Sequence, residues 1–187
     1  FDNLEELANR PNGLVGVTSG FKDLDDKTLG FCPGQLIIVA ARPAMGKSSF
    51  ATNIMLNLLE QNKKCLFISL EMGEHQFIKR LLGQIGEVDS ILLRHPEYIS
   101  KRKQSVEKIM KALDKLSKYD LTIYDEHFNV EDIKERIEQV KPEFVFIDYL
   151  QLLDVPTKKT RSEFYEKVML DLKQIARENN CIIFITS

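Results

Sequence analysis

Residues 36–50, LIIVAARPAMGKSSF, restrict the possible fold more than any other stretch of this chain. Leu36, Ile37, Ile38, Val39 and Ala40 form a short apolar run, dense in β-branched side chains, that suits one buried strand. A turn signal follows in Arg42-Pro43-Ala44-Met45-Gly46, and a helical pattern opens at Lys47-Ser48-Ser49. In a strand, tight loop and helix of this kind, successive backbone N–H groups point into one concavity. Together with the helix macrodipole they favour a polyanion there. Lys47 is placed to reach the outer phosphates of such a ligand, and the Ser48 hydroxyl to hold Mg²⁺. Gly46 allows the close approach of backbone to phosphate. The written phosphate-loop pattern, G-x-x-x-x-G-K-[ST], begins on glycine, whereas this chain has Ala41 at that position.

A chain of 187 residues can bury one real core, and a single main domain is expected. The net charge of −2 gives no bulk attraction to nucleic acid, so any such binding has to come from a local patch or from assembly. Cys32, Cys65 and Cys181 are scattered, odd in number and set mostly in apolar runs. Buried thiols in a reducing compartment follow, without a disulfide frame or a cysteine metal site. No apolar run approaches about 18 residues and the first residues do not read as a signal peptide, so a cytosolic protein without a membrane partner is expected.

Residues 1–10 carry Leu4, Leu7 and Ala8 at helical spacing and stop at Pro11-Asn12-Gly13. This divides the chain into a helical tail over 1–12 and a main domain over 13–187, although a frayed terminus fits the tail equally well. The turn-rich stretch 13–33 leaves room for a short strand near 14–17, with Phe21, Leu24 and Leu29 covering a sheet edge. Apolar runs predict further strands over 65–70, 121–124, 144–147 and 181–185. Helical stripes fall between them. The first uses Phe50, Ile54, Leu58 and Leu59, and the second Phe77, Ile78, Leu81 and Leu82. A third, over 101–118, uses Val106, Ile109, Met110, Leu113 and Leu116. The fourth uses Val130, Ile133, Ile137 and Val140 behind an Asn129 cap, and the last Phe164, Val168, Leu172 and Ile175. Strands alternating with helices predict an α/β fold, a mostly parallel sheet with helices on both faces.

Ligands of such sheets sit at the carboxyl ends of strands. Three chain-distant positions fall there: the loop after Ala41, Glu71 after Leu70, and Asp148 after Phe144-Val145-Phe146-Ile147. Four apolar residues ending in aspartate have the Walker B form, whose carboxylate can share Mg²⁺ with Ser48; a turn aspartate closing a strand is the plainer alternative. Glu71 is the candidate general base, able to orient a water toward the γ-phosphate and take its proton. A first-turn glutamate favoured by the helix dipole would look the same. By spacing alone Arg80 is no more than an exposed charge. Lys158, Lys159 and Arg161, after the Asp148 strand, fit either a phosphate backbone or solvent.

ARPAMGKSSF, SLEM, FIDYLQLL and FITS stand here in order, preceded by GVTSGFKDLDDKTLGFCPGQLIIVAARP. With these motifs the chain resembles the RecA-like motor domain of DnaB-type replicative DNA helicases over nearly its whole length. Alanine at position 41 fits that family, where alanine-arginine-proline commonly precedes the loop. The resemblance implies a RecA-like P-loop NTPase fold and a Mg²⁺-dependent ATPase. It puts the nucleotide on Ala44, Gly46, Lys47, Ser48 and Ser49, the catalytic glutamate at Glu71, the Walker B aspartate at Asp148 and an arginine near the nucleotide at Arg80. It also implies a homohexameric ring around single-stranded DNA, with nucleotide between subunits, and primase and a helicase loader as partners. Residues 1–10 would be the tail of a linker helix that docks on the neighbouring subunit.

Against the family pattern the sheet is expected to be truncated at its C-terminal side, leaving an unpaired edge near 181–185 and only weak ATPase activity in isolation. From the residues alone, other RecA-fold ATPases (recombinase, repair or clock type) and an ATP-binding assembly module that does not hydrolyse stay open. Asp148-Tyr149-Leu150-Gln151-Leu152 tilts the choice to the helicase by resemblance.

Overall fold

A computed structural model of the chain describes residues 14–42, 44–89, 93, 103–126, 128–148 and 160–187. Five strands make one sheet: β1 (Leu36–Val39), β2 (Cys65–Ser69), β3 (Leu121–Tyr124), β4 (Phe144–Asp148) and β5 (Ile182–Thr186). Their order is β1-β5-β4-β2-β3 and every neighbouring pair is parallel. The helices are α1 (Lys22–Thr28), α2 (Lys47–Glu60), α3 (Glu74–Gly86), α4 (Lys103–Leu116), α5 (Val130–Val140) and α6 (Arg161–Glu178).

Side chains alternate across the central strands, and the two faces differ in kind. One face is aliphatic: Leu66, Ile68, Val145, Ile147, Ile183 and Ile185 pack against Ile133 and Ile137 of α5 and Val168, Leu172 and Ile175 of α6. The other is aromatic: Phe67, Phe144, Phe146 and Phe184 meet Ile54, Met55 and Leu58 of α2 and Phe77 and Leu81 of α3. Phe67 stacks on Phe77 at 3.8 Å between ring centroids, and Phe146 on Phe184 at 4.8 Å. Covering both faces explains why β2, β4 and β5 are nearly continuous apolar runs. Asn129 caps α5 as expected, its side chain accepting from the Asp132 N–H in a reciprocal capping box.

Several expectations need correction. The stretch 181–185 is no edge: β5 lies between β1 and β4, and the outer strands among the described residues are β1 and β3. The turn-rich entry segment contains α1, and its strand-like part is a single antiparallel bridge between Val17 and Phe31. Phe31 is the buried cover there and Leu29 is exposed, because Leu29 takes a left-handed conformation at the end of α1. Phe50 is exposed beside Phe21, outside the core stripe of α2. In α4 the buried residue is Ala112, whereas Val106, Met110 and Leu113 are exposed. A Cβ on Gly86 of α3 would stand 3.4 Å from the Ala112 Cβ and 3.2 Å from the Lys108 carbonyl oxygen, so the two helices come close at this pair of small residues. The tail over 1–12, and Lys158 and Lys159, lie outside the described residues.

Candidate nucleotide site

All carboxyl ends of the parallel strands emerge on one side of the sheet, and a cleft of about 780 Å³ opens there. The loop after β1 supplies Ala41, Ala44 and Gly46, and the first turn of α2 supplies Lys47, Ser48 and Ser49. Glu71 and Met72 enter from the turn after β2, Gln76 and Arg80 from α3, and Asp148 from β4. All eight residues singled out in the sequence (Ala44, Gly46, Lys47, Ser48, Ser49, Glu71, Arg80 and Asp148) thus line one cleft.

The start of α2 carries the features that favour an anion. Gly46 is its N-cap at φ 88°, in the left-handed region, and no side chain caps the helix. The N-cap residues of α1 and α3 likewise make no side-chain cap, whereas α5 and α6 both carry capping boxes. The first turn of α2 holds no acidic residue and begins with Lys47, which lines the cleft, and the N–H groups at a helix start favour negative charge beside them. A Cβ built on Gly46 meets nothing within 4 Å, so the constraint at this position is its left-handed backbone and not crowding by protein atoms. Ala44 also adopts positive φ, at 62°, so two residues of the loop are in the left-handed region.

Ser48 and Asp148, a hundred residues apart, are in contact: the Ser48 Oγ donates to Asp148 Oδ1 at 3.1 Å. Thr186, the last residue of β5, donates its hydroxyl to the same carboxylate oxygen. Two hard oxygen ligands side by side suit Mg²⁺, which takes one or two protein oxygens and completes its shell with water and phosphate. No group of three His, Cys, Asp or Glu side chains that could hold a metal by itself occurs among the described residues.

Arg80 reaches across from α3, and its Nη2 donates to Ser49 Oγ at 2.6 Å. The spacing of α3 could not show this contact, because it depends on how α3 packs against α2. Glu71 is exposed on its turn, and the Leu70 N–H donates to the Asp148 carbonyl at 2.8 Å. The two acids are therefore tied through backbone as well as by register, Ser69 standing opposite Asp148. Sequence reading passed over Ser69, Gln76 and Thr186. Ser69 and Thr186 had a visible signal, a hydroxyl closing an otherwise apolar run; Gln76 had none.

With the geometry in view, the relatives agree. The model of the DnaB-like helicase C terminal domain matches residues 16–187. The replicative DNA helicase DnaC of Bacillus subtilis is 35% identical over 186 residues, covering 95% of this chain and 40% of that protein. The replicative DNA helicase DnaB of Geobacillus stearothermophilus is 34% identical with the same coverage. Among solved structures, one described as an ATPase domain superposes with a TM-score of 0.91 at 30% identity, over 98% of this chain and 67% of that one. A DnaB-like replicative helicase, whose structure was described with its interactions with primase, gives 0.88 at 30% identity, over 98% and 47%. The chain spans about 40% of the length of the curated relatives it matches. The cleft, the RecA-like parallel sheet around it and a match running almost from end to end lead to one conclusion: this chain belongs to the DnaB-like helicase C-terminal domain family.

Proposed function

We propose that this chain is the motor domain of a replicative DNA helicase, which hydrolyses ATP with Mg²⁺ to move along single-stranded DNA and separate the duplex. The observation that carries the reading is the Ser48–Asp148 contact at 3.1 Å, made in the same cleft as Lys47, Glu71 and Arg80. Catalysis of phosphoryl transfer is mostly positioning and charge stabilisation, and each residue has a part in that. Lys47 and the N–H groups of α2 neutralise and fix the triphosphate. Ser48 and Asp148 would hold Mg²⁺, which would supply positive charge to offset that of the triphosphate. Glu71 orients the attacking water and accepts its proton. Arg80, steadied on Ser49, adds positive charge at the phosphate rim.

The cleft lies open on one side, which fits nucleotide held between subunits of a homohexamer with single-stranded DNA in the ring. Primase and a helicase loader are the partners that the family resemblance suggests, and residues 1–12 fit the tail of a linker helix that docks on the next subunit. No helix among the described residues is long and apolar enough to cross a membrane, and a cytoplasmic protein is part of this reading. The test is ATP hydrolysis and forked-duplex unwinding by the protein, with and without single-stranded DNA. The expected result is DNA-stimulated hydrolysis and unwinding, both lost in Lys47→Ala. Full activity in that variant, or hydrolysis indifferent to DNA and no unwinding, would overturn the reading.

A further inference from the structure

Only five polar side chains are buried among the described residues: Ser19, Asp25, Thr52, Ser69 and Thr186. Two of them close strands on either side of Asp148. Ser69 ends β2 and is 3% exposed; Thr186 ends β5 and is 2% exposed. A hydroxyl buried at the end of an apolar strand costs free energy unless it is hydrogen-bonded, so its partners show what it is for.

Thr186 donates to Asp148 Oδ1, the oxygen that also accepts from Ser48. Two donors on one oxygen fix the carboxylate rotamer and leave the other oxygen for a ligand. Ser69 works on backbone instead. Its Oγ donates to the Met72 carbonyl and accepts from the Met72 N–H, at 3.3 Å in the second bond. Both bonds close a ring around Leu70 and Glu71. Leu70 is held from the other side by the Asp148 carbonyl, so the Glu71 backbone is pinned on both flanks. A third hold comes from the end of β3, where Asp125 Oδ2 accepts the Glu74 N–H at 2.7 Å and caps α3.

We propose that Ser69 and Thr186 are positioning residues, one for each acid: Thr186 sets the carboxylate of Asp148 for the metal, and Ser69 sets the turn that aims Glu71. The assignment rests on the roles given above to Asp148 and Glu71. It predicts that the two hydroxyls fail in different ways. Partners that orient a metal ligand or a catalytic group typically contribute about 10- to 100-fold.

The experiment uses the full chain with Thr186→Val, Thr186→Ser and Ser69→Ala, and with Asp148→Asn and Glu71→Gln as parents. It measures binding of a fluorescent ATP analogue in Mg²⁺ and in EDTA, together with kcat and KM. Thr186→Val keeps the side-chain volume; it is expected to leave affinity in EDTA unchanged and to cut the Mg²⁺ enhancement of binding by about tenfold, with Thr186→Ser restoring it. Ser69→Ala is expected to bind as wild type and to lose about tenfold in kcat at constant KM, with no further loss in the Glu71→Gln background. Ser69→Cys, near in volume and a weak donor, replaces Ser69→Ala with the same expected result if the alanine variant does not fold.

If the parents lose Mg²⁺ enhancement and turnover while the hydroxyl variants keep both, the positioning proposal is wrong and the acids stand. A loss of nucleotide affinity in EDTA that parallels the other losses also overturns it, since that marks general disruption. If the parents themselves keep Mg²⁺ enhancement and turnover, the assignment of the acids fails and takes the proposal with it.

Discussion

Glu71 and Asp148 stand one strand apart at the same end of the sheet, yet their surroundings fit them for different tasks. Asp148 is half-buried and accepts from two hydroxyls, which is how a carboxylate is held in one orientation beside a cation site. Glu71 is exposed on a turn whose backbone is pinned, so its side chain can follow a water into the cleft. From this difference Glu71→Gln should keep nucleotide affinity within about twofold and lose at least about 100-fold in kcat, the usual scale for a positioned general base. Steady-state hydrolysis beside a binding titration checks it; turnover near wild type would remove Glu71 from the role. These acids, Lys47 and Ser48 could be found in the sequence because each sits where an apolar run meets a turn. Arg80 could be placed there only by the family resemblance, since its contact with Ser49 exists only once α2 and α3 lie on the same face of the sheet.

At the scale of elements, the entry segment behaves as a clasp on α2. The Asn57 Nδ2 donates to the Ser19 carbonyl at 3.0 Å, Gln61 Nε2 to the Thr18 carbonyl at 3.3 Å, and the Phe21 and Phe50 rings lie 5.4 Å apart. Asp25 holds the clasp shut from inside, accepting from the Ser19 N–H at 2.8 Å and from the Thr18 hydroxyl. Burial alone raises the pKa of that carboxyl, but the hydrogen bonds from Thr18, Ser19 and Gly20 more than reverse it and leave it below the ordinary 3.8. A carboxyl with a depressed folded-state pKa stabilises the fold above its unfolded value, and the contribution drains away as pH falls through the folded value. The stability gap between wild type and Asp25→Asn should therefore be full at neutral pH and shrink below pH 3.8, as read by urea unfolding at each pH. A gap that widened on acidification would contradict the assignment. From the sequence this segment reads as turns with room for a short strand near 14–17 and no helix, because Gly20, Asp25-Asp26 and Gly30 punctuate the stretch so densely that the seven residues of α1 are too few to show a helical period.

For the molecule as a whole, the parallel sheet was legible because burial on both faces writes itself as apolar runs, while strand order was not. Which strand neighbours which depends on crossovers that leave no local mark, and so the expected edge at 181–185 proved to be an interior strand. The same interior holds two thiols. Burial pushes the Cys181 thiol up to about 11, against a smaller lowering by a backbone hydrogen bond. At Cys65, burial and then the Glu143 and Asp120 carboxylates push the thiol further above the ordinary range. Iodoacetamide at about pH 8 should therefore modify half-buried Cys32 first, and reach Cys65 and Cys181 only as fast as the sheet opens; mass spectrometry of labelled peptides would show it. Three thiols labelled at one rate would mean that the core is not as described. The central claim remains that the loop after β1, the start of α2 and the two acids form one seat for Mg²⁺ and a nucleoside triphosphate. Its most direct test is a titration of the folded chain with a fluorescent ATP analogue in Mg²⁺, comparing wild type with Lys47→Ala. The account predicts saturable binding that weakens by about tenfold or more in the variant, the scale of a lost charge-assisted contact to phosphate; equal affinity in the two proteins would contradict it.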